Sequence, residues 1–330
     1  MFSLGGLSQT VDETKTWDVL IIGAGPAGFT AAIYAARYGL ETLMISKDIG
    51  GNVALTDLIE NYPGFPDGIS GAELANRMHE QVKKLGVPII FDEVERIDPA
   101  ECAYYEGPCK FHVKTKNGKI YKARTVIIAV GAEPRKLRVP GEDKFYGRGV
   151  SYCATCDGPL FKGKDVIVVG GGNTALQEAL YLKEIGVNVT LVHRREQFRA
   201  DKILQDRFKK AGIPAILNTV VVEIKGNQKV ESVVLKNVKT GEVFEKKVDG
   251  VFVFIGYEPK TDFVKHLGIT DEQGYIPVDM HMRTKVKGLF AAGDITNVFK
   301  QIAVAVGQGA IAANSAKELL EEWKTQVNEE

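Results

Sequence analysis

Two cysteines separated by two residues and followed directly by an acid make Cys153-Ala154-Thr155-Cys156-Asp157 the stretch best suited to chemistry. Thiols at this spacing can close a small, strained disulfide, and one of them is activated when a helix end or a neighbouring group favours the thiolate. A zinc site uses the same spacing but needs two further ligands. The remaining cysteines, Cys102 and Cys109, stand apart in a separate strand-rich region, so a redox dithiol is expected and no metal. Asp157 has two readings, because Asp-Gly-Pro is also a turn signal and the carboxylate suits a helix cap.

A dithiol that turns over needs a reductant, and two glycine turns offer binding sites for one. Gly23-Ala24-Gly25-Pro26-Ala27-Gly28 follows the apolar run Trp17–Ile22 and precedes a helix-like segment from Phe29 to Tyr38. The first glycine permits a tight turn, the second lets a pyrophosphate approach the backbone, and the third lets helix and strand pack closely. The helix N-terminus then offers unpaired N–H groups to the phosphates. The arrangement recurs at Asp165–Val169, Gly170-Gly171-Gly172-Asn173-Thr174-Ala175 and the helical stretch from Leu176 to Ile185. One such turn occurs readily for packing alone; the flanking elements and the second copy predict two dinucleotide-binding units.

The units differ at the end of their next strand, where an acid would bind a ribose 2′-hydroxyl. The second unit has His193-Arg194-Arg195 there, with Arg199 one turn beyond. A cationic fork suits a 2′-phosphate, which favours NADPH over NADH. A solvated basic cluster is the alternative, and Glu196 is an acid of the kind that favours NADH. In the first unit the stretch is Met44-Ile45-Ser46-Lys47-Asp48, with no acid directly at the strand end. Asp48 either binds the ribose or begins the turn to Gly51.

The elements between these motifs show a second echo. Val126–Val130 runs into Gly131-Ala132-Glu133-Pro134, and Val251–Ile255 runs into Gly256-Tyr257-Glu258-Pro259. Proline cannot continue a central strand, so both sites read as places where the chain leaves a domain. The segment after the second exit is short for an independent domain but sufficient to complete the first. The expected fold is α/β, with two Rossmann-like nucleotide-binding domains, one inserted into a discontinuous other. The boundaries are drawn as an N-terminal extension over 1–16, an outer domain over 17–137 and 263–330, and an inserted domain over 138–262. The charged end, Lys317 to Glu330, reads as a solvated helix with a frayed tail.

Composition fits this picture. The chain has 330 residues, 45% of them hydrophobic and 25% charged, and its 42 basic side chains balance 42 acidic ones. No global field steers it towards nucleic acid or anionic lipid. The N-terminal stretch lacks the basic and apolar segments of a signal peptide, and no apolar run has the length of a membrane helix. A cytoplasmic protein is expected, with neither nucleic acid nor membrane as partner.

Taken together and in order, these motifs resemble those of low-molecular-weight thioredoxin reductases over nearly the whole chain, from about Trp17 to Leu320. The resemblance rests on the first glycine turn, Glu60-Asn61-Tyr62-Pro63-Gly64, the Cys-Ala-Thr-Cys-Asp segment, the His-Arg-Arg segment, and Gly288-Leu289-Phe290-Ala291-Ala292-Gly293-Asp294. It implies FAD on the outer domain and NADPH on the inserted one. The implied FAD residues are Gly23, Gly25, Pro26, Ala27, Gly28, Gly51, Asn52, Asn61, Gly131, Gly293, Asp294, Gln301, Ile302 and Ala303. For NADPH they are Gly170, Gly172, Asn173, Thr174, Ala175, His193, Arg194, Arg195 and Arg199.

By the same resemblance Asp294 bonds the ribityl chain, Asn61 lies near the isoalloxazine, and the helix starting near Gln301 points its N-terminus at the ring. Cys153 and Cys156 are the redox pair, with Cys156 nearer the flavin as the charge-transfer thiolate, and Asp157 handles protons. The family usually has Gln where Asn52 stands and Thr where Val130 stands, departures that touch flavin contacts rather than the dithiol. The implied substrate is the disulfide of a thioredoxin or glutaredoxin-like protein, and the implied assembly is a homodimer. Nicotinamide and disulfide both have business with one flavin, so the inserted domain is expected to turn between two orientations, the alternative being a static arrangement in which the two approach opposite faces of the ring. Cys102 and Cys109 flank a hairpin-like segment and are either a structural disulfide or two free thiols.

Overall fold

The computed structural model describes residues 11–56, 59, 61–99 and 110–329. Cys102 and Cys109, and Glu60 of the tyrosine-proline segment, lie outside the described residues. Contacts divide the chain into two compact units, one reaching to Glu133 and resuming at Glu258, the other running from Pro134 to Tyr257. The divisions fall inside the two Glu-Pro exits, a few residues ahead of the boundaries drawn at 137 and 262.

The first unit begins with β1 (Thr16–Ile22), α1 (Pro26–Arg37) and β2 (Thr42–Ser46). α2 (Gly71–Lys84) follows, its N-terminus capped by the Ser70 hydroxyl, which accepts from the Glu73 N–H at 3.2 Å. Then come β3 (Ile89–Phe91), β4 (Val94–Pro99), β5 (Phe111–Thr115) and β6 (Ile120–Ile128). The sheet order is β3-β2-β1-β6-β5-β4, with β1, β2, β3 and β6 parallel. β1 is central and covered on both faces, which is why its second half is uniformly apolar instead of alternating. β7 (Glu133–Pro134) is the exit.

The second unit contains β8 (Val150–Ser151), α3 (Ala154–Asp157), β9 (Asp165–Gly170), α4 (Asn173–Glu184), β10 (Asn188–Val192), α5 (Lys202–Lys210) and β11 (Ala215–Ile216). It continues through β12 (Thr219–Gly226), β13 (Val230–Asn237), β14 (Val243–Lys247) and β15 (Gly250–Phe254). A parallel sheet in the order β11-β10-β9-β15-β8 is accompanied by an antiparallel sheet, β12-β13-β14. The two-residue period of β9 serves two cores. Val166 and Val168 join Leu176, Ala179 and Phe208 of the helices, whereas Ile167 and Val169 join Val221 and Leu235 of the antiparallel sheet.

The chain returns to the first unit through β16 (Tyr257–Glu258), adds β17 (Leu289–Ala291) parallel to β6, and ends in α6 (Ile302–Glu329). α6 lies so close to α1 that a Cβ on Gly309 would stand 2.2 Å from the Ala27 carbonyl oxygen. One expectation fails here. The sequence predicts a solvated helix from Lys317 onward, yet the described part of that stretch, to Glu329, belongs to a 28-residue helix whose Leu320 and Trp323 are buried in the first core. Their i, i+3 spacing is an apolar stripe that the surrounding charges obscure. Among the described residues no helix is long and apolar enough to cross a membrane, and no group of three His, Cys, Asp or Glu could hold a metal.

Candidate active site

The first glycine turn is built as its spacing demands. Gly23 has φ of +104°, and a Cβ there would strike the Ala129 carbonyl; one on Gly28 would stand 1.9 Å from the Gly23 oxygen. Gly25 is different, with open space where its Cβ would go. It caps α1, with Pro26 in the first turn, so the first N–H groups of the helix are unpaired beside that opening. Gly51 faces it: a Cβ on Gly51 would lie 3.9 Å from the Gly25 Cα. This is a cradle for a pyrophosphate.

Residues that no motif marks hold the cradle in shape. The Ser46 hydroxyl, at the end of β2, accepts from Ala24 N–H at 3.1 Å and donates to the Asp48 carbonyl at 2.8 Å. Gly50 N–H closes the loop on the Ala24 carbonyl at 2.7 Å. Lys47, exposed, pairs with Glu133 at 2.9 Å. Asp48 is exposed beside it.

The other end of this site gathers around the start of α6. Asn61 donates its amide to Gln301 at 2.9 Å, and Asn52 donates to the Ala132 carbonyl at 2.9 Å, next to Gly131. Ile302 and Ala303 form the first turn of α6. Gln308, buried, accepts the Gly293 N–H at 2.7 Å and donates to the Thr296 hydroxyl at 3.1 Å, fixing the loop that carries Asp294. Burial pushes the Asp294 carboxyl above its ordinary value, with Lys300 opposing weakly. No donor among the described residues bonds that carboxylate. A mostly buried carboxylate without a partner and an open glycine cradle fit a flavin dinucleotide, whose hydroxyls and pyrophosphate would meet both.

In the second unit, a cavity of about 350 Å³ opens over the second glycine turn. Gly170, Gly172, Thr174, Ala175, His193, Arg194 and Arg199 of the expected residues line it. Gly172 caps α4 and has open space beside it, as Gly25 has in the first unit. His193 is buried against Gly171, which has no room for a Cβ because the imidazole lies 2.3 Å from where it would stand. Burial lowers the His193 pKa, the hydrogen bond to Gln197 opposes it, and Arg199, Arg194 and Arg195 lower it further, which favours the neutral ring. It bonds the Gln197 carbonyl at 3.1 Å and so shapes the basic loop.

Arg199 N–H is tied to the Gly171 carbonyl at 2.7 Å. Neither the Arg194 nor the Arg199 guanidinium has a hydrogen-bond or ion-pair partner among the described residues. Two unpaired guanidinium groups on the rim of a glycine cradle fit a phosphorylated ribose. Asn173 and Arg195 are not among the lining residues. Asn173 exchanges two hydrogen bonds with Asp201, at 2.8 and 2.7 Å, and thereby anchors the end of the basic loop. Arg135, Leu137 and Tyr152 line the cavity without having been anticipated.

The dithiol segment belongs to this unit. Cys153 is half-buried and disulfide-bonded. Its N–H is held by the Ser151 hydroxyl at 3.0 Å, and its carbonyl lies 3.1 Å from the same oxygen. Cys156 sits within α3. Ala154 between them is fully buried against α4, and Gly158 leaves no space for a Cβ beside Leu182. Asp157 ends α3 and makes no capping hydrogen bond, so the capping reading of its carboxylate does not hold.

The sequence pattern of the pyridine nucleotide-disulphide oxidoreductases matches residues 17–309, most of the chain and both glycine turns. The chain belongs to that family. Among its members it is 47% identical to thioredoxin reductase of Bacillus subtilis (strain 168), over 94% of this chain and 97% of that one. With thioredoxin reductase of Treponema pallidum (strain Nichols) the identity is 46%, over 91% and 96%. Of solved structures in the family, thioredoxin reductase from Lactococcus lactis superposes with a TM-score of 0.87 at 45% identity, covering 93% of this chain and 100% of that one. Thioredoxin reductase of T. acidophilum gives 0.83 at 41% identity, over 92% and 98%.

Proposed function

We propose that this chain is a thioredoxin-disulfide reductase, an NADPH-dependent flavoenzyme whose Cys153 and Cys156 are the redox pair. The observation that carries the reading is the disulfide-bonded Cys153 within the unit that also presents the glycine cradle, Arg194 and Arg199. The unit that leaves at Glu133 and resumes at Glu258 is the FAD-binding domain, and the inserted unit is the NADPH-binding domain carrying the dithiol.

FAD, when bound, supplies a carrier that accepts a hydride from NADPH and passes an electron pair to a disulfide. Gly25, Gly51 and the first turn of α1 would hold its pyrophosphate, and Asp294 a ribityl hydroxyl. Asn61, Gln301, Ile302 and Ala303 would meet its ring end, with the positive end of α6 favouring negative charge there. Gly172, Thr174 and the start of α4 would hold the pyrophosphate of NADPH, with Arg194 and Arg199 on its 2′-phosphate.

Reduction of the Cys153–Cys156 disulfide consumes two electrons and two protons. Asp157, whose carboxylate caps nothing, handles the protons. The Cys153 thiolate then attacks the disulfide of the partner, forming a mixed disulfide, and Cys156 displaces the reduced partner as their own disulfide re-forms. Thioredoxin is the expected substrate, with glutaredoxin-like proteins as a second class. We further propose a homodimer working in the cytoplasm.

The test is NADPH oxidation by the purified yellow protein in the presence of oxidised thioredoxin. Thioredoxin-dependent turnover supports the reading. Bleaching of the flavin by NADPH with no transfer to any dithiol protein would leave only a redox-responsive flavoprotein.

A further inference from the structure

Glu142 lies outside every motif, yet it is 2% exposed and its carboxylate is the centre of a small network. It accepts from the Leu137 N–H at 2.7 Å, the Arg138 N–H at 2.6 Å and the Tyr152 hydroxyl at 2.8 Å. Its own backbone is fixed. The preceding turn is locked onto β12, where Ile224 N–H donates to the Pro140 carbonyl at 2.9 Å and Gly141 packs too tightly for a Cβ.

A buried carboxylate is costly and is retained only with good partners. Two of the three here are successive backbone N–H groups, the arrangement that forms an anion-binding nest. The second belongs to Arg138, whose φ of +60° is a left-handed conformation that side chains other than glycine seldom adopt. The carboxylate therefore holds an unfavourable backbone in place. What that backbone and Tyr152 have in common is the cavity: Leu137 and Tyr152 both line it. Tyr152 also leads directly into Cys153, whose N–H is pinned by Ser151.

We infer that Glu142 is a positioning residue for the coenzyme site, setting through one buried carboxylate the cavity wall formed by Leu137 and Tyr152. The inference rests on the reading of that cavity as the NADPH site. Burial and the hydrogen bond to Glu142 push the Tyr152 hydroxyl far above its ordinary range, so it stays a proton donor to the carboxylate at every physiological pH. Removing the bond frees the ring to leave the wall. The cavity must then be reordered at each binding event, which weakens binding without removing any group that touches the coenzyme's phosphates.

The test is calorimetric titration of the FAD-loaded protein with NADP⁺, which needs no turnover. Tyr152→Phe deletes one hydroxyl and keeps the ring; Glu142→Gln keeps the shape and removes the charge. Tyr152→Phe is expected to weaken NADP⁺ binding about fivefold and Glu142→Gln about tenfold or more, as for loss of hydrogen bonds to a charged group. The double variant should lose less than the two single losses combined, because both changes weaken the same Tyr152–Glu142 hydrogen bond. A merely structural role would lower the melting temperature and leave NADP⁺ affinity within twofold of wild type, and that result overturns the inference. Should Glu142→Gln fail to fold, Tyr152→Phe alone decides. A wild type that binds no NADP⁺ overturns the coenzyme reading and the inference together, whereas a wild type that binds beside equal variants overturns the inference alone.

Discussion

Lys239 holds Glu196 at 2.7 Å, drawing the one acid of the basic segment into an ion pair outside the cavity lined by Arg194 and Arg199. The Lys239 ammonium lowers the Glu196 pKa, so the acid is charged and engaged with its partner. The feature that argued for NADH in the sequence is thereby accounted for.

Coenzyme preference should therefore depend on the arginines. Replacing Arg194 and Arg199 together with Gln is expected to lower kcat/KM for NADPH by about a hundredfold, as for two charge-assisted hydrogen bonds, and for NADH by only a few-fold. Steady-state kinetics with both coenzymes check this. Equal losses with the two would mean that neither side chain reads the 2′-phosphate.

Glycine substitutions should separate folding from cofactor binding. Gly28→Ala places a methyl against the Gly23 carbonyl and is expected to destabilise the protein by roughly 2 kcal/mol or more through overpacking. Gly25→Ala meets nothing within 4 Å and leaves the fold intact, but its methyl stands where a pyrophosphate would approach. Thermal melts of cofactor-stripped protein and flavin titration should show the first variant losing stability and the second losing flavin affinity.

Asp294 carries a stability cost in the cofactor-free protein. Its pKa is raised in the folded state, chiefly by burial, so the cost is absent below the ordinary value and grows as pH rises through the folded value. Asp294→Asn should therefore raise the melting temperature of the stripped protein at neutral pH and have little effect well below pH 3.8, the ordinary carboxyl value. The same variant should bind FAD about tenfold more weakly, by the worth of a charged hydrogen bond.

His193 shifts in the opposite direction for a base. Its folded pKa lies below the ordinary 6.5, so the neutral ring is accommodated at high pH and stability is lost as pH falls from 6.5 towards the folded value. Melting temperatures measured across that window should fall with pH for wild type and fall less for His193→Phe. An identical slope in the two would remove His193 from this account.

Much of the site was legible because its chemistry is local. A glycine turn, the helix after it and an arginine cluster one strand later are fixed by spacing along the chain. Ser46, Gln308 and Glu142 escaped because each acts on a backbone group whose importance appears only after folding, and each is a lone polar residue without a motif. The place of Asn173 in the turn suggests a coenzyme contact, but its amide bonds Asp201, a partner 28 positions away. The burial of the final helix is hidden in the sequence because Lys and Glu on its outer face outnumber Leu320 and Trp323. Spacing alone does not distinguish Asp157 from a helix cap; in the folded chain its carboxylate caps nothing.

On the proposed function, electrons leave the protein through the cysteine pair. Single-turnover reduction of Cys153→Ser and Cys156→Ser by NADPH, followed by addition of oxidised thioredoxin, checks this. Both variants should bleach their flavin at close to the wild-type rate and transfer nothing to thioredoxin. If either single variant still reduced thioredoxin at a substantial fraction of the wild-type rate, the dithiol would not be the route and the account would be wrong.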